Sequence, residues 1–154
     1  MNDQEKKEIF DKWHKLINMT QTELDAWAKD PERLLASLNR EEAKSGKNKI
    51  QSGYDSFHRI KRRKQKPLED WSDQDFKNAK QEIGFNSRML GNSPGKPVNK
   101  DVCKSKWEIS LKNWGHDPSK SSSPSYSKWK SWSEANKKQA SISRVASLYI
   151  QKYF

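Results

Sequence analysis

Apolar residues recur along this chain at helical rather than strand spacing. Within residues 3–18, Ile9, Phe10, Trp13, Leu16 and Ile17 fall on one side, the repeat of an amphipathic helix. Thr20-Gln21-Thr22-Glu23 then has the form of a capping box, in which hydroxyl and carboxylate each satisfy the other residue's amide. It predicts a short second helix with Leu24 and Trp27 on its apolar side. Asp30-Pro31 is a restart signal, Asp as cap and Pro at the first helical position. A third helix is expected from there to about Lys44, with Leu34, Leu35 and Leu38 inward and Ser45-Gly46 as its end.

The stretch from Ile50 to Lys66 carries two messages. At about 100° per residue, Ile50, Tyr54 and Phe57 gather on one side of a helix, while Arg59, Arg62, Arg63 and Lys66 gather on the opposite side. One face is expected to complete the core and the other to meet a partner. Pro67 stops this helix, and Ser72-Asp73-Gln74-Asp75 starts a fifth, with Phe76, Ala79, Ile83 and Leu90 inward. Residues 91–97 are a loop by composition. Trp107, Leu111 and Trp114 define a sixth helix closed by Gly115. Residues 117–127, rich in Ser and Pro, read as a flexible connection to a terminal helix carrying Ile142, Val145, Leu148 or Tyr149, and Tyr153. No sustained period-two alternation occurs. The expectation is an all-α protein: a compact bundle of five or six short helices over residues 1–116, a linker at 117–127 and an appended Trp-containing helical tail at 128–154.

Composition narrows this picture. Only 31% of the 154 residues are apolar and 33% are charged, so seven Trp, five Phe and four Tyr must supply much of a thin core. The net charge of +11 is concentrated: residues 46–66 hold eight basic groups against Asp55 alone, and residues 91–154 hold twelve against four, whereas the remaining segments are slightly acidic. Two basic blocks of this kind suit a polyanionic partner, nucleic acid first. A membrane surface is the weaker choice because the apolar side of the basic helix is needed for the core.

No window approaches the length of a membrane span, and the polar N-terminus lacks the apolar centre of a secretory signal. Cys103, alone, forms no internal disulfide, which fits a reducing, cytoplasmic setting, nucleoid-associated if DNA is bound. His116 and Asp117 are adjacent, but His14, His58 and Cys103 show no ligand spacing with them, and no nucleophile elbow or phosphate-binding glycine loop is present. A structural role for His116 and Asp117, capping and local bonding, is the stronger reading. No enzymatic activity, cofactor or metal is expected. A helix-turn-helix from helices four and five is disfavoured by the long connection and by the acidic start of the second helix.

The candidate nucleic-acid contacts are therefore Lys47, Lys49, Arg59, Lys61, Arg62, Arg63, Lys64 and Lys66, acting on phosphates. A second, tethered contact could come from Lys128, Lys130, Lys137 and Lys138, with Trp129 and Trp132 stacking on bases. For those two tryptophans, packing back onto the core is the favoured alternative.

Several blocks together resemble a known family. WHKLINMTQTELDAW (13–27), Ser52-Gly53 within a helix ending in basic residues, the Ser72-Asp73-Gln74-Asp75 start and WEISLKNWGHDPSK (107–120) occur in the order seen in a family of small uncharacterised helical bacterial proteins, some labelled DNA-binding. Asn18-Met19-Thr20 and Gly115-His116-Asp117-Pro118 are the most specific pieces. The resemblance covers roughly residues 10–120 and implies a compact helical unit and a DNA partner. It supplies no catalytic residue or established ligand. The combined expectation is non-enzymatic binding of nucleic acid, double-stranded DNA favoured, with little sequence specificity. The alternative is an adaptor that binds an acidic protein.

Overall fold

In the computed structural model the described residues are 1–36, 49–99 and 101–137, with side chains of the basic helix described from residue 56 onward, so that those of Ile50 and Tyr54 are outside them. Lys47, Lys138, the expected end of the third helix, the apolar residues of the expected terminal helix and the side chain of Lys49 lie outside them. Six α-helices are found among the described residues, and the fold is all-α. They are α1 (Asp3–Leu16), α2 (Gln21–Ala28), α3 (Lys49–Lys64), α4 (Asp73–Leu90), α5 (Lys106–Asn113) and α6 (126–137). Two single turns of 3-10 helix, Pro31–Leu34 and Leu68–Asp70, lie between them. One isolated antiparallel bridge joins Pro97 and Ser105.

Both capping boxes form. Thr20 Oγ1 accepts from Glu23 N at 3.2 Å while Thr20 N donates to Glu23 Oε1 at 3.0 Å. Ser72 Oγ accepts from Asp75 N at 3.1 Å while Ser72 N donates to Asp75 Oδ2 at 2.9 Å. At Asp30-Pro31 the cap also forms; the described residues after it begin with a 3-10 turn, Pro31–Leu34, and Leu34 and Leu35 are 41% and 40% exposed rather than inward. Asn113 accounts for part of this. Its Nδ2 donates to Arg33 O at 2.9 Å and its Oδ1 accepts from Trp27 Nε1 at 2.8 Å, so the turn is tied to α5.

The most extensive packing is that of α1 on α4, around Trp13, Ile17, Ile60, Trp71, Phe76 and Ala79. A second cluster joins Met19, Leu24, Trp27, Phe57 and Ile109. Phe57 and Ile60 of α3 thus enter both halves of the core. Trp107 is buried, and Trp114 stacks on Phe85 with centroids 4.2 Å apart.

The C-terminus of α1 leaves carbonyls without helical partners, and distant segments satisfy them. Leu16 O receives His116 Nδ1 at 2.5 Å, Ile17 O receives Lys64 Nζ at 2.6 Å, and Asn18 O receives Lys120 Nζ at 2.8 Å. Cations at this end of a helix also oppose its dipole. The Asn18 side chain pairs with the Asp117 backbone in both directions, at 2.7 and 2.9 Å. Asn18-Met19-Thr20 and Gly115-His116-Asp117-Pro118 therefore meet face to face. Gly115 has φ +81°, and a Cβ there would stand 2.8 Å from Ile17 Cγ2 and 3.0 Å from Ile60 Cγ2.

Residues 117–127 differ from the flexible connection their composition suggests. Ser123 and Ser125 are buried; Ser123 Oγ lies 2.8 Å from His116 Nε2, and Ser125 Oγ donates to Leu90 O at 3.2 Å. Small hydroxyl side chains bury little apolar area, but here they satisfy buried polar groups that would otherwise be costly. Because the Leu16 carbonyl can only accept, His116 Nδ1 carries the proton, and neutral Nε2 accepts from Ser123.

Two outcomes are expected. Gly115→Ala should cost about 2–4 kcal/mol in urea unfolding, from left-handed backbone strain together with overpacking against Ile17 and Ile60; a loss below half a unit would contradict the close approach. In an imidazole NMR titration, His14, tilted against Phe10 with ring centroids 4.3 Å apart, should show a pKa lowered from 6.5 to about 4, chiefly by burial and then by Lys64. His116 should also titrate below the ordinary value, again chiefly through burial. With folded values below the unfolded 6.5, each makes the unfolded state bind more protons, so each lowers stability as pH falls through that window. Glu82 and Glu108, raised by burial, act in the opposite sense, which is why the titration rather than the melting curve is the decisive measurement.

Candidate nucleic-acid interface

The basic residues of α3 do not share one exposed face. Ser56, Phe57, Ile60 and Arg63 are its buried residues among those described. Arg63 lies only about 60° around the helix from Ile60, so the same rotation that buries Ile60 carries Arg63 inward. It is 1% exposed, and its Nη1 meets Glu82 of α4 in a very short contact. Glu82 Oε1 also accepts from Trp13 Nε1 at 2.8 Å, and Arg63 Nε reaches Asp75 Oδ1 at 3.4 Å. The guanidinium lies over the rings of Trp13 and Trp71, 5.4 and 5.6 Å from their centroids. Arg63 is thus removed from the expected contact set: it is an internal counter-ion.

The other cations are sorted by what stands beside them. Lys61 pairs with Asp25 at 2.9 Å, and Asp25 is held below the usual carboxylate range chiefly by that bond. Lys64 is half-buried on the end of α1, and its pKa is lowered, first by burial and then by Lys120. It is therefore a capping group rather than a surface contact. Lys66 reaches Asp75 at 3.1 Å but stays 43% exposed. Arg59 is half-buried, with Nη2 donating to Ser56 Oγ at 3.0 Å and with a buried Nε that has no hydrogen-bond partner. Arg62 is exposed.

Arg59, Arg62 and Lys66 surround a depression of about 200 Å³ with Arg63 in its wall. The opposite wall is the start of α4, where Ser72, Gln74, Asp75 and Asn78 line it. These polar residues were not singled out in the sequence. The signal available was that the Ser72 cap is the next helix start in the chain after the basic helix, across a connection that holds the turn Leu68–Asp70. Glu82 was also missed, although it sits three residues from Ala79 and four from Asn86 on the buried side of α4, where a carboxylate requires a partner.

The expected second contact is mostly occupied by docking. Trp129 Nε1 donates to buried Glu108 at 2.6 Å, and Trp132 Nε1 donates to Gly95 O at 2.5 Å. Lys128 Nζ donates to Leu90 O at 2.7 Å and Asn92 O at 2.8 Å, and lies over the Trp107 ring. Of that group Lys130 and Lys137 are exposed. Lys128 grips the end of α4 at Leu90, whereas the depression sits at Gln74 to Asn78, about 18 Å away along the helix. The two basic regions are separate.

Among the described residues no group of three or more His, Cys, Asp or Glu is placed to hold a metal ion, and no helix is long and apolar enough to cross a membrane. Compared with protein-family models, curated proteins and solved structures, the chain matches none.

Arg63→Met should destabilise the protein by about 3–5 kcal/mol, because it leaves Glu82 buried without its counter-charge. The double variant Arg63→Met/Glu82→Leu should recover most of that loss in the same urea titration. A single variant within 1 kcal/mol of the parent would place Arg63 outside the core pair.

Proposed function

We propose that this protein binds nucleic acid without catalysing a reaction, with double-stranded DNA favoured, through phosphate contacts made by Arg59, Arg62 and Lys66. The observation that carries the reading is the cationic depression between α3 and the start of α4, in a chain of net charge +11. Lys or Arg side chains at such a surface displace the counterions condensed on a phosphate backbone, which requires no base contact and gives little sequence preference. Lys130 and Lys137 extend the positive field from the far end of α4. The resemblance read in the sequence, to small helical proteins of which some are labelled DNA-binding, points the same way. The adaptor reading needs Trp129 and Trp132 for a partner's groove, and both already bond within the chain.

Binding of a labelled duplex by the full chain should weaken with salt, log K falling against log salt with a slope of about −2 from the uncancelled Arg59 and Arg62. Arg62→Gln, on the surface, should reduce the slope by about 1 and weaken unrelated sequences equally. An affinity indifferent to salt, or no binding at low salt, removes this reading.

A further inference from the structure

The depression has a charge balance that selects among phosphate groups. Arg63 is neutralised by Glu82, and Lys66 by Asp75. Arg59 and Arg62 make no ion pair with a carboxylate of the described residues, so the described lining of the depression keeps a surplus of two positive charges. Arg59 additionally has a buried Nε–H without an acceptor. Of the amides at the start of α4, that of Asp75 is already taken by Ser72 Oγ. The full positive charges of the depression come from side chains.

We infer that this depression is a seat for one phosphate monoester, held by Arg59 and Arg62 with Gln74 and Asn78 as neutral partners. A phosphate monoester carries about −1.5 to −2 at neutral pH, which matches the surplus, whereas a backbone phosphodiester carries a single charge. A volume of about 200 Å³ equals that of roughly six waters, enough for a tetrahedral anion with part of its hydration. Asp75 limits what fits. Its carboxylate is fixed by Ser72 N at 2.9 Å and Lys66 Nζ at 3.1 Å, so it stays charged in the wall and confines the anion to the Arg59 and Arg62 side. Two sources share this chemistry: the terminal phosphate of a nucleic-acid strand, which rests on the function proposed above, and free phosphate, which does not.

The test uses the full chain and two probes. Inorganic phosphate is titrated at ionic strength matched with sodium chloride, following the NMR signals of the Arg side chains and of the amides of residues 72–78. Fluorescence anisotropy then compares a short blunt duplex bearing 5′-phosphate with the same duplex bearing 5′-hydroxyl. Saturable shifts are expected with phosphate, weakened about tenfold by Arg59→Gln and by Arg62→Gln, each losing a charge-assisted hydrogen bond. The 5′-phosphorylated duplex is expected to bind several-fold tighter, with the preference absent in Arg62→Gln. Phosphate binding with equal affinity for the two duplexes supports the seat and assigns it to free phosphate. Phosphate binding with neither duplex bound supports the seat while removing the nucleic-acid function. No saturable phosphate binding, or binding undiminished in both Arg variants, overturns the proposal.

Discussion

The fold depends on a buried ion pair. Arg63 of α3 and Glu82 of α4 meet where both are removed from water, and burying either charge alone would be prohibitive. The surroundings make the pair tenable. Trp13 donates its indole N–H to the same carboxylate, Asp75 approaches the guanidinium from the other side, and the rings of Trp13 and Trp71 present their faces to it. Weakly hydrated, planar guanidinium is suited to this setting in a way that a lysine ammonium is not. Three helices and the turn before α4 are thereby held in register by groups whose geometry is directional. A core with few aliphatic residues gains specificity from such contacts that methyl packing alone does not supply.

The second constraint is the end of α1. Its last carbonyls are not capped locally by a glycine motif but by His116, Lys64 and Lys120, which arrive from three separate places in the chain. This closure requires the chain after α5 to turn sharply, and Gly115 in the left-handed region makes that turn while passing between Ile17 and Ile60. Ser123 then completes His116, and Ser125 and Lys128 complete the carbonyl of Leu90 at the end of α4. The Ser-rich segment is thus a set of hydrogen-bonding caps laid over two helix ends. Low-complexity composition obscured this, because flexibility was inferred from what serine does not bury rather than from what it can bond.

What was legible in the sequence was what is local. Capping boxes at Thr20 and Ser72, the helix-ending Gly115 and the stripe through Ile9, Trp13 and Ile17 are decided by neighbours within a turn or two, and they were read directly. Pairings between elements were not legible. Arg63 and Arg62 are adjacent, of one type and on one helix, yet one is 1% exposed and the other lies on the surface. Helical spacing turns Arg63 inward with Ile60 and Arg62 outward, but that a charge can stay there depends on α4 placing Glu82 beside it, which α3 alone does not contain. Leu34 and Leu35 are likewise placed from outside their own segment, since Asn113 of α5 bonds the Arg33 carbonyl in the turn that contains Leu34. The depression lies at the C-terminal end of α3, where the basic residues were expected to act, but half of its wall comes from α4.

The structure also separates two meanings of a positive charge. Where a lysine pairs with a carboxylate, as Lys61 with Asp25, its field at a distance is largely cancelled. Where it bonds a carbonyl, as Lys64 and Lys128 do, the charge persists although the side chain is held in place. Such groups steer an approaching polyanion without being able to close on it, and at physiological salt their reach is about 8 Å. Close contact falls to cations that are uncancelled and line the depression, Arg59 and Arg62. A chain with many basic residues therefore reduces to a small number that can hold an anion, and that number, rather than the total of +11, sets how steeply binding should depend on salt.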